Sequence, residues 1–203
     1  MNMHQTAGGG FKDAPVEAAR SFRILMNAMA RPGSISQLDA IEPPDPLSPA
    51  AGTALLTLAD PTTPVFLAGA ADTETVRNWV AFHIGAPIIE PSDLRSFTGR
   101  GRPPGEMFAV GAWADLRGHL EALPIGRPDY PDRSATLIAE LPTIANSGAK
   151  LSGPGIRAIE ALSLPETEVF QKNNARFPLG FDVFFTSGSL VAALPRSTRV
   201  EAA

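Results

Sequence analysis

Three arginines that lie close to prolines are the side chains of this sequence best suited to bind an anion. Arg31 precedes Pro32, and Arg196 follows Pro195 three residues before Arg199. Proline restricts the backbone beside it, and a guanidinium offers a planar fork of donors that matches phosphate or carboxylate. Phosphate-rich ligands need several such groups to converge. We therefore expect these arginines to bind ligand or to lie at an interface, with a structural salt bridge or a subunit contact as the alternative.

His83 is the histidine with the best claim to a functional role. It shares one side of a predicted helix with Trp79 and Val80, near the helix C-terminus, where the macrodipole favours a charged imidazole. A histidine on an apolar face is more often satisfied within the core, so both interpretations stand: ligand contact and structural residue. The chain has three histidines and no cysteine, and a metal site needs several such ligands. We expect no metal.

No catalytic motif is complete in this sequence. It lacks both the Gly-x-Ser-x-Gly elbow of hydrolases and the Gly-Lys-Ser/Thr of a phosphate-binding loop. Residues 99–105 miss Gly-x-Gly-x-x-Gly by one position, and nothing near Lys150 supports a pyridoxal-phosphate site. The turn at residues 152–156 could form a backbone nest for an anion, or simply connect two elements. We therefore assign no catalytic residue and no cofactor.

Composition narrows the class of protein. The 203 residues are 44% hydrophobic and 19% charged, which is typical of a globular domain. A net charge of −4 argues against general nucleic-acid binding. No apolar run approaches the ~20 residues of a membrane span, and the N-terminal residues lack the apolar core of a signal peptide. We expect a soluble, cytoplasmic protein that binds neither nucleic acid nor membrane.

Periodicity predicts four main helices. The first follows Asp13 and ends at Arg31-Pro32-Gly33, because the residue before proline avoids helical backbone. Its apolar stripe, at helical spacing, consists of Val16, Ala19, Phe22, Met26 and Met29. The second begins at Ser48, the third is capped by Asp72, and the last lies within residues 165–175.

Short apolar runs between the helices predict strands. They fall at residues 64–68, 87–89, 107–110, 134–141, 181–186 and 190–194. Helices alternating with such strands favour an α/β fold in three layers, α/β/α, around a mixed central sheet. We expect residues 1–12 to form a flexible tail, residues 99–105 an exposed loop, and residues 13–203 a single α/β domain.

Several segments occur in an order typical of one protein family. They are residues 22–33, 63–65, 82–87, 134–137, 151–156, 177–182 and 194–199. Taken together, they make the chain resemble the H component of the bacterial carbon–phosphorus lyase core complex, which serves phosphonate utilisation. Ser197 stands where threonine is usual in that family.

The resemblance implies a cytoplasmic homodimer that joins subunits G, I and J, with ATP or a phosphonate as ligands of a shared site. The G, H and I components, with L, are linked to a transfer in which methylphosphonate displaces adenine from ATP. The product is ribose 1-methylphosphonate 5-triphosphate, and the later carbon–phosphorus cleavage belongs to the J component. The fold is similar to the large domain of pyridoxal-phosphate-dependent transferases without the cofactor lysine. No catalytic residue of the H component follows from the resemblance.

Two functions are therefore expected from the sequence. The first is an accessory subunit that supports this transfer without being catalytic alone. The alternative is a stand-alone nucleotide- or phosphate-binding module, or a small-molecule enzyme that uses His83 and the arginines.

Overall fold

A mixed sheet lies at the centre of the computed structural model, which describes residues 8–94 and 105–203. Within those ranges its seven strands are β1 Ser36–Gln37, β2 Val65–Leu67, β3 Met107–Ala112, β4 Ile125–Arg127, β5 Tyr130–Glu140, β8 Asp182–Ser187 and β9 Leu190–Leu194. The order is β1-β9-β8-β5-β3-β2, and β4 pairs with the first part of β5. Strands β2, β3, β5 and β8 are parallel, whereas β9 and β1 are antiparallel to their neighbours.

The sheet is buried on both faces, as continuous apolar strands require. Neighbouring residues of β5 show this: Leu137 belongs to one apolar cluster and Ile138 to the other, and both are fully buried. Strands β8 and β9, from the predicted runs 181–186 and 190–194, form a hairpin whose two-residue turn begins at Gly188 with φ of 57°. Of the predicted run 87–89, Ile88 forms a single parallel bridge to Val65.

Three helices cover one face: α1 Ala14–Ala30, α2 Pro49–Leu58 and α3 Glu74–His83. The hydroxyl of Ser48 accepts the Ala51 N–H at 3.1 Å and so caps α2, as predicted. The prediction for α3 was wrong by one residue, because the Thr73 hydroxyl accepts the Val76 N–H at 3.1 Å. Asp72, the predicted cap, instead pairs with Arg77.

The other face is covered by a second, smaller sheet together with short helices. The small sheet has the order β10-β6-β7 and consists of β6 Ala149–Ser152, β7 Glu160–Leu162 and β10 Arg199–Glu201. Beside it lie α4 Trp113–Arg117, a 3-10 turn at Leu120–Ala122 and α5 Thr167–Asn174. The expected mixed central sheet is therefore confirmed, while the second outer layer is part sheet and part helix.

Helix α1 turns a different side to the sheet from the one its predicted stripe suggests. Ser21, Leu25 and Ala28 are its buried residues, and the two small ones allow the helix to approach β9 closely. Phe22 and Met26, from the stripe, are each 51% exposed. The stripe is thus not the core-facing side.

No helix in the described ranges has the length and hydropathy needed to cross a bilayer. The loop predicted at residues 99–105 lies outside the described residues except for Gly105.

Candidate functional site

An open surface pocket of about 450 Å³ brings together three segments that the sequence singled out. We call it the Gly153 pocket. Its lining residues are Gly153, Pro154, Asn174, Phe177, Ser197 and Arg199. The turn after β6 forms one side, the segment before β8 another, and the C-terminal residues 195–199 the third.

Glycine is required in the turn at this pocket. Gly155 has φ of 82°, and a Cβ there would overlap the carbonyl oxygen of Ala30. A Cβ on Gly153 would lie 3.4 Å from the carbonyl oxygen of Ser197. The turn therefore sits between the end of α1 and residues 195–199, so that Arg31 and Arg199 belong to the two segments that flank it.

Arg196 does not face this pocket with free donors. Its Nη2 lies 2.6 Å from Oδ2 of Asp182 and also bonds the hydroxyl of Ser134, while Nη1 donates to the carbonyl oxygen of Pro131 at 2.7 Å. The side chain is only 11% exposed. Arg196 therefore fits the alternative given in the sequence analysis, a structural salt bridge. Its bonds attach residues 195–199 to the central sheet.

Arg31 and Arg199 are, in contrast, exposed and unpaired. Within residues 8–94 and 105–203, neither side chain has a hydrogen-bond or ion-pair partner, and the same holds for Arg157 just after the turn. No carboxylate of the described residues forms an ion pair with these three arginines, so they remain available to an incoming anion.

The remaining groups of the Gly153 pocket suit binding rather than chemistry. Asn174 donates through Nδ2 to the carbonyl oxygen of Arg196 at 2.9 Å, which leaves its Oδ1 open. The Ser197 hydroxyl has no partner among the described residues, and Phe177 supplies an apolar wall that is 59% exposed. Among the described residues that line the pocket, no histidine or carboxylate lies beside Ser197 to activate its hydroxyl.

His83 lies in another part of the molecule and holds the N-terminal segment. Its Nε2 is 3.0 Å from the carbonyl oxygen of Gly8, which can only accept, so Nε2 is the donor. Trp79 donates through Nε1 to the carbonyl oxygen of Gly9 at 3.1 Å. A Cβ on Gly10 would lie 2.6 Å from Cε1 of the imidazole. The structure thus brings Arg31 and Arg199 to one turn but does not bring His83 to them.

These contacts also bear on the expected tail. Residues 8–10 lie against α3, and residues 8–12 line a surface pocket with His83 and Leu56 rather than extending freely. Residues 1–7 of the expected tail lie outside the described residues.

A family model described as bacterial phosphonate metabolism protein (PhnH) matches residues 9–201. The chain belongs to the PhnH family. It is 35% identical, over 97% of its own length and 96% of the relative's, to the alpha-D-ribose 1-methylphosphonate 5-triphosphate synthase subunit PhnH of Rhizobium meliloti (strain 1021). It is also 28% identical, over 94% of each chain, to the putative C-P lyase subunit protein HtxG of Stutzerimonas stutzeri. The resemblance inferred from the ordered segments is confirmed.

One partly buried carboxyl in this PhnH-family chain escaped the sequence analysis. Glu140 ends β5 and accepts the Ser48 N–H at 2.8 Å, which supports the start of α2. Burial raises the pKa of Glu140, and its hydrogen bonds from Ser48 oppose that rise only in part. An acidic residue that ends an apolar strand was the available signal, because such a group needs a donor when it is buried.

A second groove, beside α5, carries as many cations as the Gly153 pocket region but leaves none of them free. Arg117 pairs with Glu166 at 2.8 Å, Lys172 with Glu168 at 2.7 Å, and Arg176 with Glu121 at 3.7 Å. The hydrogen bond from Arg117 lowers the pKa of Glu166, which keeps this pair ionised. These internal pairs neutralise the groove, so it is a weaker anion site than the Gly153 pocket.

Metal binding finds no support in the side-chain arrangement. Across the described ranges, no three histidine, aspartate or glutamate side chains come together as metal ligands would.

Proposed function

We propose that this chain is an accessory subunit of ribose 1-methylphosphonate 5-triphosphate synthase within a carbon–phosphorus lyase assembly, and that it serves phosphonate catabolism. It supports transfer of ribose triphosphate from ATP to methylphosphonate with release of adenine, and it is not catalytic alone. The observation that carries the proposal is the match to the PhnH family over residues 9–201, together with 35% identity to a synthase subunit across almost its full length.

The Gly153 pocket supports a role in handling the anionic ligands of this reaction. Arg31 and Arg199 flank one turn with their guanidinium groups unpaired within the described residues. Unpaired cations at a surface raise the local concentration of polyanions and steer them on approach. We assign to these two arginines the steering of a triphosphate, or of a phosphonate, towards a site shared with other subunits.

Assembly with subunits G, I and J, as a cytoplasmic homodimer, completes the proposal. Two relatives of the chain are named as subunits, one of ribose 1-methylphosphonate 5-triphosphate synthase and one, putatively, of C-P lyase. Their names support assembly of this chain with partner subunits.

We further propose kinship with the large domain of pyridoxal-phosphate-dependent transferases. The mixed seven-stranded sheet, with a parallel centre and antiparallel strands at one edge, is compatible with such kinship. Superposition of an experimental map on the central strands of those enzymes would test it, and a different strand order there would overturn it.

Co-expression with tagged subunits G, I and J tests the subunit role. We expect the chain to co-purify at low salt and the synthase reaction to require its presence in a reconstituted mixture. Failure to co-purify under mild salt would contradict the proposal. So would turnover of ATP and methylphosphonate by the isolated chain, since an accessory subunit has no activity of its own.

A stand-alone phosphate-binding module is the second candidate, favoured by the free donors of the Gly153 pocket. Calorimetry of the isolated chain with ATP separates the two functions, because a module binds ATP without partners. An enzyme that uses His83 together with the arginines is disfavoured by their separation in the fold. His83→Asn tests it: a proton-transfer residue would cost roughly 10²-fold or more in rate.

A further inference from the structure

The outward side of α1 combines exposed apolar side chains with unpaired cations. We call it the α1 outer face and define it by Val16, Arg20, Phe22, Arg23 and Met26, all exposed. Val16 is 42% exposed, and Phe22 and Met26 are each 51% exposed. The side that the sequence marks as apolar is thus presented to solvent, while Ser21, Leu25 and Ala28 are buried.

Helix geometry makes this surface continuous. Phe22 and Met26 are four residues apart, so they lie one above the other on the helix. Arg23 lies beside Met26, three residues before it, and Arg20 lies beside Arg23 at the same spacing. An aromatic and a methionine at this spacing are typical anchors of a helix that enters an apolar groove. Methionine adapts its shape to the surface that it meets.

The charge of the α1 outer face is not balanced from within the chain. Neither Arg20 nor Arg23 has an ion-pair partner in the part of the chain that the structure describes. Glu17, the one acidic residue of α1, turns its carboxylate to the N–H of Lys12 at 2.7 Å. By comparison, Arg77, Arg117 and Arg196 each pair with a carboxylate.

We infer that the α1 outer face docks into an apolar groove with an acidic rim on another subunit of the assembly, an inference that rests on the proposed function. Phe22 and Met26 fill the groove, and Arg20 and Arg23 pair with its rim. A second copy of this chain is a poorer occupant. A two-fold contact at this face would place the arginines of both copies in one interface to which the face supplies no carboxylate, and like charges oppose association.

The double variant Phe22→Asp/Met26→Asp tests the inference in the full assembly. We expect recovery of the partner subunits to fall about tenfold or more, as for loss of central anchors. Ile159→Asp is the matched control, because Ile159 is 62% exposed and lies on the loop before β7. It should leave recovery unchanged. Circular dichroism and the thermal midpoint of each variant verify that the fold is kept.

Charge and identity of the partner are tested separately. Arg20→Glu/Arg23→Glu should weaken the complex most at low salt, where electrostatic attraction is least screened. A photo-cross-linking residue at position 22 should attach to an acid-rich segment of another subunit. Attachment to a second copy of this chain, or loss of self-association in the double variant, would overturn the inference, as would unchanged recovery. If the unmodified chain fails to co-purify at all, the proposed function falls rather than this inference alone.

Discussion

Arg196 and Arg199 lie three residues apart on one segment, but their side chains lie in different environments. Arg196 is enclosed, with its donors bonded to Asp182, Pro131 and Ser134. Arg199 is exposed at the Gly153 pocket, with no partner among the described residues. Both are arginines of one short segment, so the role of each is decided by what the fold places against its guanidinium.

The same contrast separates two surfaces. In the groove beside α5, Arg117, Lys172 and Arg176 are each neutralised by a glutamate. Around the Gly153 turn, Arg31, Arg157 and Arg199 are not. A charge that is paired within its own chain contributes to that chain's surface structure, whereas an unpaired one is available to a ligand or a neighbouring subunit.

Among the variants that test this contrast between paired and unpaired arginines, Arg196→Ala should have the largest effect. This change leaves Asp182 without its cation in a site that is mostly buried, and we expect the free energy of unfolding to fall by about 3 kcal/mol. Urea denaturation measures it. Arg127→Ala is the control: Arg127 pairs with Asp129 at 3.2 Å with both side chains about half exposed, and its loss should change stability by less than about 1 kcal/mol. Equal effects of the two variants would mean that burial does not distinguish them.

Gly155→Ala tests whether the turn is fixed by its contact with α1. With φ of 82°, and with the carbonyl oxygen of Ala30 in the space of a Cβ, alanine there should lower the free energy of unfolding by about 2 kcal/mol. Gly188→Ala is a useful comparison, because φ is also positive there but no atom lies within 4 Å of the added Cβ. If both cost the same, backbone strain alone explains the loss and the contact with Ala30 does not matter.

Arg199→Ala should reduce activity with little effect on stability, in contrast to Arg196→Ala. Because its side chain makes no hydrogen bond or ion pair within the described residues, we expect the free energy of unfolding to change by less than about 0.5 kcal/mol. The reconstituted synthase should lose about tenfold in kcat/KM for ATP, as expected for a lost hydrogen bond to a charged group. Arg199→Lys keeps the charge but not the fork, so it should rescue only part of the loss. Unchanged kinetics would remove Arg199 from the proposed steering.

The smallest effect concerns Glu140 and depends on pH. Burial raises the pKa of Glu140 above its ordinary value of 4.5, so the folded chain holds this proton to a higher pH than the unfolded chain does. The contribution of Glu140 to stability is then greatest at acidic pH and is lost as pH rises through the folded-state pKa. Glu140→Gln keeps an oxygen for the Ser48 N–H and removes the titration.

We therefore expect Glu140→Gln to gain stability relative to the unmodified chain as pH increases from about 4 to 7. Urea midpoints at several pH values measure this. A difference between the two chains that stays constant over the range would contradict the assignment. Asp39→Asn, a change at an exposed carboxylate, controls for the effect of removing one charge.

The middle of the central sheet was accessible from sequence because its strands are continuous apolar runs, of which residues 107–112 and 182–187 are examples. Strands β1, β4, β7 and β10 were not, since two or three residues are too few to show a period. The orientation of α1 was mistaken because the helix is apolar on two sides: Leu25 and Ala28 on one, Phe22 and Met26 on the other. Periodicity finds both sides but does not say which one meets the sheet.

The candidate site could be reached from sequence only in part. The arginine-bearing segments and the turn at residues 152–156 were recognised separately, and the fold joins them at one pocket. That Arg196 is saturated depends on Asp182 and Ser134, which are 14 and 62 positions away. No local sequence pattern identifies such distant partners, so the different roles of Arg196 and Arg199 could be recognised only from the structure.

The bonds of Arg196 also determine how stiff the neighbouring surface is. They join the C-terminal segment to the amino-terminal end of β8 and to the part of β5 that precedes its parallel pairing. One wall of the Gly153 pocket is therefore anchored in the sheet before a ligand binds. Binding there costs little backbone conformational entropy. A ligand or subunit that binds at this end of the molecule therefore contacts a rigid wall and one mobile cationic side chain, that of Arg199.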